Sequence, residues 1–322
     1  MKKIRLAGLA ALLVVPVLAV TACSSGGGRT DAPDAAGGQE LTIAVVTHGP
    51  TGDTFFDILR KGAEAAGAKD NMKILWSSDA DASKQSQLIQ QAIDQGVDGI
   101  AVSLPRPEAL KDVLAKATAA GIPWTGFNAG GDVALQMGAI GFFGQNEKAA
   151  GEAVGTELAA AGVEHPLCVE QEQGNVSLDA RCAGITAKIP GTEVIYVNGT
   201  DMSSVTSTIK AKLQASPDID AVTATSMFAV PLAQVVKEVG SDAIVAAFDL
   251  SGDLADAIKS GDVAFTVDQL PYLQTYEAVD ALWLYNNGLF TLGGGQSVGT
   301  GPAIVDDSSI DKVIEYAKKG IR

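Results

Sequence analysis

Leu41 to Ala66 reads LTIAVVTHGPTGDTFFDILRKGAEAA. Leu41–Thr47 is a short apolar, β-branched run, the pattern of a buried strand. His48–Asp53 holds Gly49, Pro50 and Gly52 and reads as a loop. From Thr54 to Gly67, Phe55, Leu59, Ala63 and Ala66 recur at helical spacing. Thr54 and Asp57 have the spacing of a capping box, which predicts a helix starting at Thr54. A strand, loop and helix opening an α/β domain put that loop at the carboxyl ends of the strands, where such folds take ligands. Phe55 and Phe56 are neighbours, so they leave the helix in different directions. One is expected in the core and the other in the crevice above the loop; the alternative puts both in the core.

The same alternation continues outward from this unit. Strand patterns fall at Lys73–Trp76, Val97–Val102 and Ile122–Phe127, with amphipathic helices ending near Gly96 and running from Pro107 to Gly121. After an apolar, Gly-rich stretch at Met137–Phe143, an Ala-rich helix is expected from about Asn146 to Ala161. A second series follows, with strands near Leu167–Glu170, Val194–Val197, Ala221–Ala224, Ile244–Phe248 and Val263–Val267. The pattern predicts an α/β protein of two Rossmann-like halves, each with a parallel sheet covered on both faces. The tail from Gly293 onward does not declare which half it joins.

The first 22 residues read as an export signal. Lys2, Lys3 and Arg5 precede an apolar run from Leu6 to Val20, and Val20-Thr21-Ala22-Cys23 ends it on small residues before a cysteine. This is the layout of a bacterial lipoprotein signal, cut before a lipidated Cys23; an ordinary secretory signal is the alternative. Residues 23–40 lack bulky apolar residues and read as a flexible linker. The expected location is the outer face of the cytoplasmic membrane. No later stretch reaches the roughly 18 apolar residues of a membrane span.

Three of the 23 Lys+Arg leave with the signal and no acidic residue does, so the formal charge of −15 becomes −18. Nucleic-acid binding, which needs a basic face, is excluded on that charge. Of the 3 cysteines, Cys168 and Cys182 remain after Cys23 is lipidated. In an exported chain they read as one disulfide, with two reduced buried cysteines as the alternative. The 2 histidines, His48 and His165, and the absence of paired Cys or His spacing argue against a metal site. No Gly-x-Ser-x-Gly, Walker loop or dinucleotide fingerprint follows the first strand, so an enzyme is the poorer reading and no cofactor is expected.

Five segments then bear a family likeness: Gly52-Asp53-Thr54-Phe55-Phe56, Ile122-Pro123 leading to Asn128, Arg181-Cys182-Ala183-Gly184, Phe248-Asp249 and Gln269-Leu270-Pro271. In this order and spacing, residues 41–305 resemble the ribose- and galactose-type solute-binding proteins of bacterial ABC importers, the periplasmic type I fold. The resemblance implies two lobes joined by a three-segment hinge, 41–144 plus 271–298 and 145–269 plus 299–322. It implies a monosaccharide or sugar alcohol held between them and a membrane permease as partner, with the binding protein a monomer. A lipoprotein presenting its sugar to a membrane receptor is the alternative.

The implied ligand contacts are Asp53, Thr54, Phe55, Phe56, Asn128, Asn175, Arg181, Ser226, Asp249 and Gln269. A carboxylate suits a vicinal diol, and an arginine can fork onto two ligand oxygens. Asp53 could instead cap the helix, Arg181 could pair with Glu170 or Asp179, and Asp249 and Gln269 could be turn or cap residues. His48 stands in the right loop, with a solvent-facing histidine as the alternative. The ribose type often has an Asp-Arg pair where this chain has Asn128-Ala129, which removes one negative and one positive group from the site.

Overall fold

A computed structural model describes residues 40–50 and 52–322. The expected signal, Cys23 and all of the linker except Glu40 lie outside the described residues.

The first lobe runs β1 (Thr42–Thr47), α1 (Thr54–Lys69), β2 (Lys73–Ser78), α2 (Ala82–Asp94), β3 (Gly99–Ser103), α3 (Pro107–Ala119), β4 (Trp124–Phe127), α4 (Asp132–Gln136) and β5 (Phe142–Gly144). The second runs α5 (Glu147–Ala160), β6 (Pro166–Glu170), α6 (Val176–Lys188), β7 (Glu193–Tyr196), α7 (Met202–Ala215), β8 (Ala221–Ala224), α8 (Ala229–Val239), β9 (Ile244–Phe248), α9 (Gly252–Ser260) and β10 (Phe265–Asp268). α10 (Pro271–Gly288) then returns to the first lobe and packs on α1 and β3–β5. The tail is divided. β11 (Val298–Gly299) extends the first sheet beside β5, β12 (Ala303–Asp306) closes the second beside β10, and α11 (Ile314–Lys318) packs on α9.

The two six-stranded sheets share one order, β2-β1-β3-β4-β5-β11 and β7-β6-β8-β9-β10-β12. All pairings are parallel except β10–β12. The middle strands are buried on both faces and therefore read as unbroken apolar runs, while β2 and β7 at the edges are partly exposed. Each sheet has an apolar core on either side, so the doubly covered α/β architecture is present in both lobes.

Glycine lets helices meet backbone to backbone in both lobes. A Cβ on Gly62 of α1 would lie 2.0 Å from the Tyr272 carbonyl oxygen of α10, and one on Gly151 of α5 would lie 2.0 Å from that of Arg181 on α6. The second contact holds α6 against the start of the second lobe, and with it the loop before α6. Cys168 and Cys182 are bonded, tying β6 to α6 with Cα atoms 5.8 Å apart.

The start of α1 departs from the expected capping box. Asp53, not the Thr54–Asp57 pair, caps the helix, its side chain accepting from the Phe55 amide at 3.0 Å. An aspartate one position earlier meets the free amides of the first turn, so Thr54 becomes the first helical residue.

Candidate functional site

In each lobe the loops after the strands carry the polar side chains. Those from β1, β3, β4, β6, β7, β8, β9 and β10 line one cavity of about 590 Å³ with walls from both lobes. That lies within the usual range of about 300–1,000 Å³ for small-molecule sites.

Its floor is a chain of side-chain hydrogen bonds between the lobes. The Asn128 amide donates to Oε1 of Gln269 at 3.1 Å and to Oε1 of Gln274 at 3.2 Å. Gln269 Nε2 donates to Asp249 Oδ1, and Ser226 donates to Asp249 Oδ2 at 3.1 Å. Asn128 and Asp249 are the first residues after β4 and β9, and both take left-handed backbone, with φ of 61° and 69°. Asn and Asp enter that region more readily than most residues. Each donates its backbone amide to the neighbouring strand, to Phe143 and to Val267. The two halves thus place an amide and a carboxylate at equivalent turns. Burial pushes the Asp249 carboxyl up to about 6, against the opposing pull of Arg181. Because the Asn128 amide nitrogen is spent on two glutamines, its carbonyl oxygen is left as the acceptor.

Phe55 and Phe56 form one wall, edge to face at 5.3 Å, with the His48 ring edge-on to Phe56 at 5.0 Å. Both rings belong to the first lobe's core, as the alternative had it, and both also border the cavity, so the two roles are shared and not divided. The first turn of α1 overhangs the sheet, and rings leaving it in different directions both find apolar neighbours. Asp53 also borders the cavity while capping α1, and burial raises its carboxyl despite the Phe55 amide.

Thr54 is a correction. It is exposed and borders a separate groove with Asp57 and Lys61, because one helical step turns it away from the cavity that Asp53 and Phe55 border.

Arg181 borders the cavity but is already engaged. Its Nε donates to Glu147 Oε2 at 2.7 Å, Nη2 to Glu147 Oε1 at 3.2 Å, and Nη1 to the Thr225 carbonyl at 2.6 Å. The guanidinium also lies 4.6 Å from the centre of the Phe248 ring. Neither expected acid is its partner. Glu170 and Asp179 border a separate depression beside the disulfide, where burial, then Asp179, pushes the Glu170 carboxyl up to about 8. Asn175 borders the cavity and caps α6, accepting from the Ser177 amide and donating to Glu172 Oε2, each at 3.0 Å.

Among the cavity residues outside the expected contacts are the ionisable His48, Arg106 and Glu172. His48 is buried, its Nδ1 2.7 Å from the Ser103 hydroxyl, and burial keeps its imidazole below the ordinary value despite nearby Glu172. Arg106, on the loop after β3, reaches across the cavity mouth to Glu172 on the loop after β6. Their charged atoms are 3.2 Å apart. Position directly after a strand was the signal that would have flagged His48. Among the described residues, no cluster of three or more His, Cys, Asp or Glu could hold a metal, and no helix is long and apolar enough to cross a membrane.

The family profile of the periplasmic binding protein domain matches residues 43–289. The chain belongs to that family. Among solved structures, a carbohydrate transporter from Acidothermus cellulolyticus 11B, in complex with myo-inositol, superposes with a TM-score of 0.87. It is 46% identical and covers 88% of this chain and 100% of its own. The ribose import binding protein of Bacillus subtilis is 24% identical over 81% of this chain and 87% of its own. The xylose/arabinose-binding protein of Sulfolobus acidocaldarius is 29% identical over 61% of this chain, and the match spans only 54% of that relative's length. Family and relatives place the chain among the sugar-binding, extracytoplasmic solute-binding proteins of ABC transporters. By name, these relatives bind or transport carbohydrates.

Proposed function

We propose that this chain is the lipid-anchored solute-binding subunit of an ABC importer, tethered through Cys23, and that its ligand is a neutral cyclic polyol of the myo-inositol kind. The ligand would sit in the cavity between the lobes, against Asp53, Phe55, Phe56, Asn128, Asn175, Ser226, Asp249 and Gln269. The lobes, 41–144 plus 271–298 and 145–269 plus 299–322, would swing about three crossings, close over it and deliver it to a permease.

The observation that carries the ligand class is the state of the floor. Asn128 offers a carbonyl oxygen, Asp249 offers a carboxylate, and three of the five Arg181 N–H donors already go to Glu147 and Thr225. Such a floor favours a ligand that donates. A pyranose has a ring oxygen that can only accept, whereas every oxygen of a cyclitol is a hydroxyl that can do both. Ala129 stands where the ribose type often has a second arginine, which further reduces the donors available to a ring oxygen. The phenyl faces of Phe55 and Phe56 suit the C–H face of a six-membered ring. The myo-inositol complex of the 46%-identical relative supports the same class. Arg181 would support this floor through Glu147 and Thr225, with its remaining N–H donors facing the ligand from the cavity wall.

A thermal-shift series on the mature protein tests this, with myo-inositol, other cyclitols, alditols, pentoses and hexoses. Cyclitols are expected to give the largest rise, equivalent to about 2.7 kcal/mol at a hundred times the dissociation constant. A response to pentoses or hexoses alone would move the ligand to pyranoses. No response to any polyol would remove the binding function itself.

A further inference from the structure

We infer that Arg106 and the Gln171–Val176 loop form a cross-lobe clasp that sets how long the ligand is retained. The inference rests on the binding role proposed above.

Arg106 belongs to the first lobe, and Glu172, Gln173 and Val176 to the second. Three contacts join them. Arg106 Nη1 approaches Glu172 Oε1 at 3.2 Å. Nη2 donates to the Gln173 carbonyl at 3.1 Å. The backbone amide of Val176 donates to the Pro105 carbonyl at 3.1 Å. Two of the three use main chain on the second-lobe side, so they need the lobes in one register and not merely two opposite charges nearby. Gly174, with φ of 78°, makes the turn between the Gln173 carbonyl and the Val176 amide. The second lobe holds its side of the clasp in place, because Asn175 caps α6 and also donates to Glu172.

The first lobe holds its side equally well. Arg106 also donates to the Ala80 carbonyl at 3.4 Å, and Pro107 fixes the start of α3 directly after it. The arginine is 31% exposed, so it lies at the mouth of the cavity while Gln269, 1% exposed, lies at its floor. A ligand bound on the floor can leave only after the mouth opens. Breaking the clasp therefore acts on escape. It should leave unchanged the chemistry by which the floor recognises one polyol over another.

The test measures association and dissociation separately, with myo-inositol and D-ribose as probes, in the wild type, Arg106→Ala and Arg106→Lys. Arg106→Ala is expected to speed dissociation about tenfold, the size of one charge-assisted hydrogen bond. Association should stay within about twofold, as is usual among variants of one interface. The ranking of the two probes should not change. Lysine keeps the charge but not the fork, so it should recover part of the loss.

A second readout needs no ligand. Dyes on Lys111→Cys and Lys210→Cys, both exposed and one on each lobe, report the lobe separation by energy transfer. Arg106→Ala is expected to lower the closed fraction. The clasp is refuted if dissociation and the closed fraction both match wild type, or if association falls as much as dissociation rises. A changed probe ranking would make Arg106 a direct ligand contact and also overturn it. If the wild type binds neither probe while Arg106→Ala still opens the lobes, the clasp stands and the binding proposal fails.

Discussion

Arg181 and Glu147 meet through two parallel contacts, 2.7 Å and 3.2 Å long, with both residues buried and 34 positions apart in sequence. Removing one partner of such a pair leaves an uncompensated buried charge, at a cost of about 3–5 kcal/mol. Arg181→Ala is therefore expected to lower the melting temperature of the ligand-free protein sharply. A residue that only touched ligand would lose affinity and melt normally. Ligand-free melting and calorimetry on the folded fraction separate the two outcomes.

Asp249 gives a pH-dependent prediction. Its carboxyl rises from 3.8 to about 6 in the folded protein, with burial the main cause. The folded state holds this proton more tightly than the unfolded chain. The group's contribution to stability is thus greatest below about pH 4, falls as pH climbs to about 6, and is level above. Asp249→Asn removes the ionisation. Without ligand, the variant should gain on the wild type between pH 4 and 7, by up to about 3 kcal/mol. Urea unfolding at several pH values reads this directly, and a gap that does not change with pH would contradict it. The same variant should bind polyol more weakly, since it loses the charged acceptor.

The Cys168–Cys182 bond closes a loop with a sequence separation of 14. The chain-entropy account gives such a loop about 3 kcal/mol. Cys168→Ala with Cys182→Ala should unfold at correspondingly lower urea concentration. Unfolded, unreduced wild type should show no titratable thiol from either residue.

These residues also show what the sequence could disclose. Strand and helix periods revealed both lobes because each sheet is covered on two faces, which leaves unbroken apolar runs such as Ile43–Val46. Asp53, Phe55, Phe56, Asn128, Asn175, Ser226, Asp249 and Gln269 all reach one cavity, since each follows a strand end or begins the next helix. Thr54 was misplaced because one helical step turns a neighbour away. The partner of Arg181 was invisible because Glu147 lies on another helix, and local spacing pointed to nearby acids such as Glu170 and Asp179. Arg106 and Glu172 acquire their relationship only when two lobes meet, and no periodicity within either lobe encodes that.

The tether has its own test. If Cys23 carries lipid, the wild type should enter the detergent phase in a partition experiment, and Cys23→Ala should stay aqueous or remain unprocessed. Equal partitioning of both would remove the anchor from the proposal.

The placement of Gln269 where the chain passes from β10 to α10 has a mechanical consequence. When two bodies swing about a pivot, points near the pivot travel least and points at the far lip travel most. About the proposed crossings, Asn128, Gln269 and Asp249 would have the short arm, and Arg106 and Glu172 the long one. A few degrees of swing would part the lip while the inner bonds are barely stretched. The solute would be let go from the outside inward, and the last bonds to break would be those that identify it. A transporter prying the lobes apart would break the lip contacts first and reach the inner bonds only at the end of the stroke.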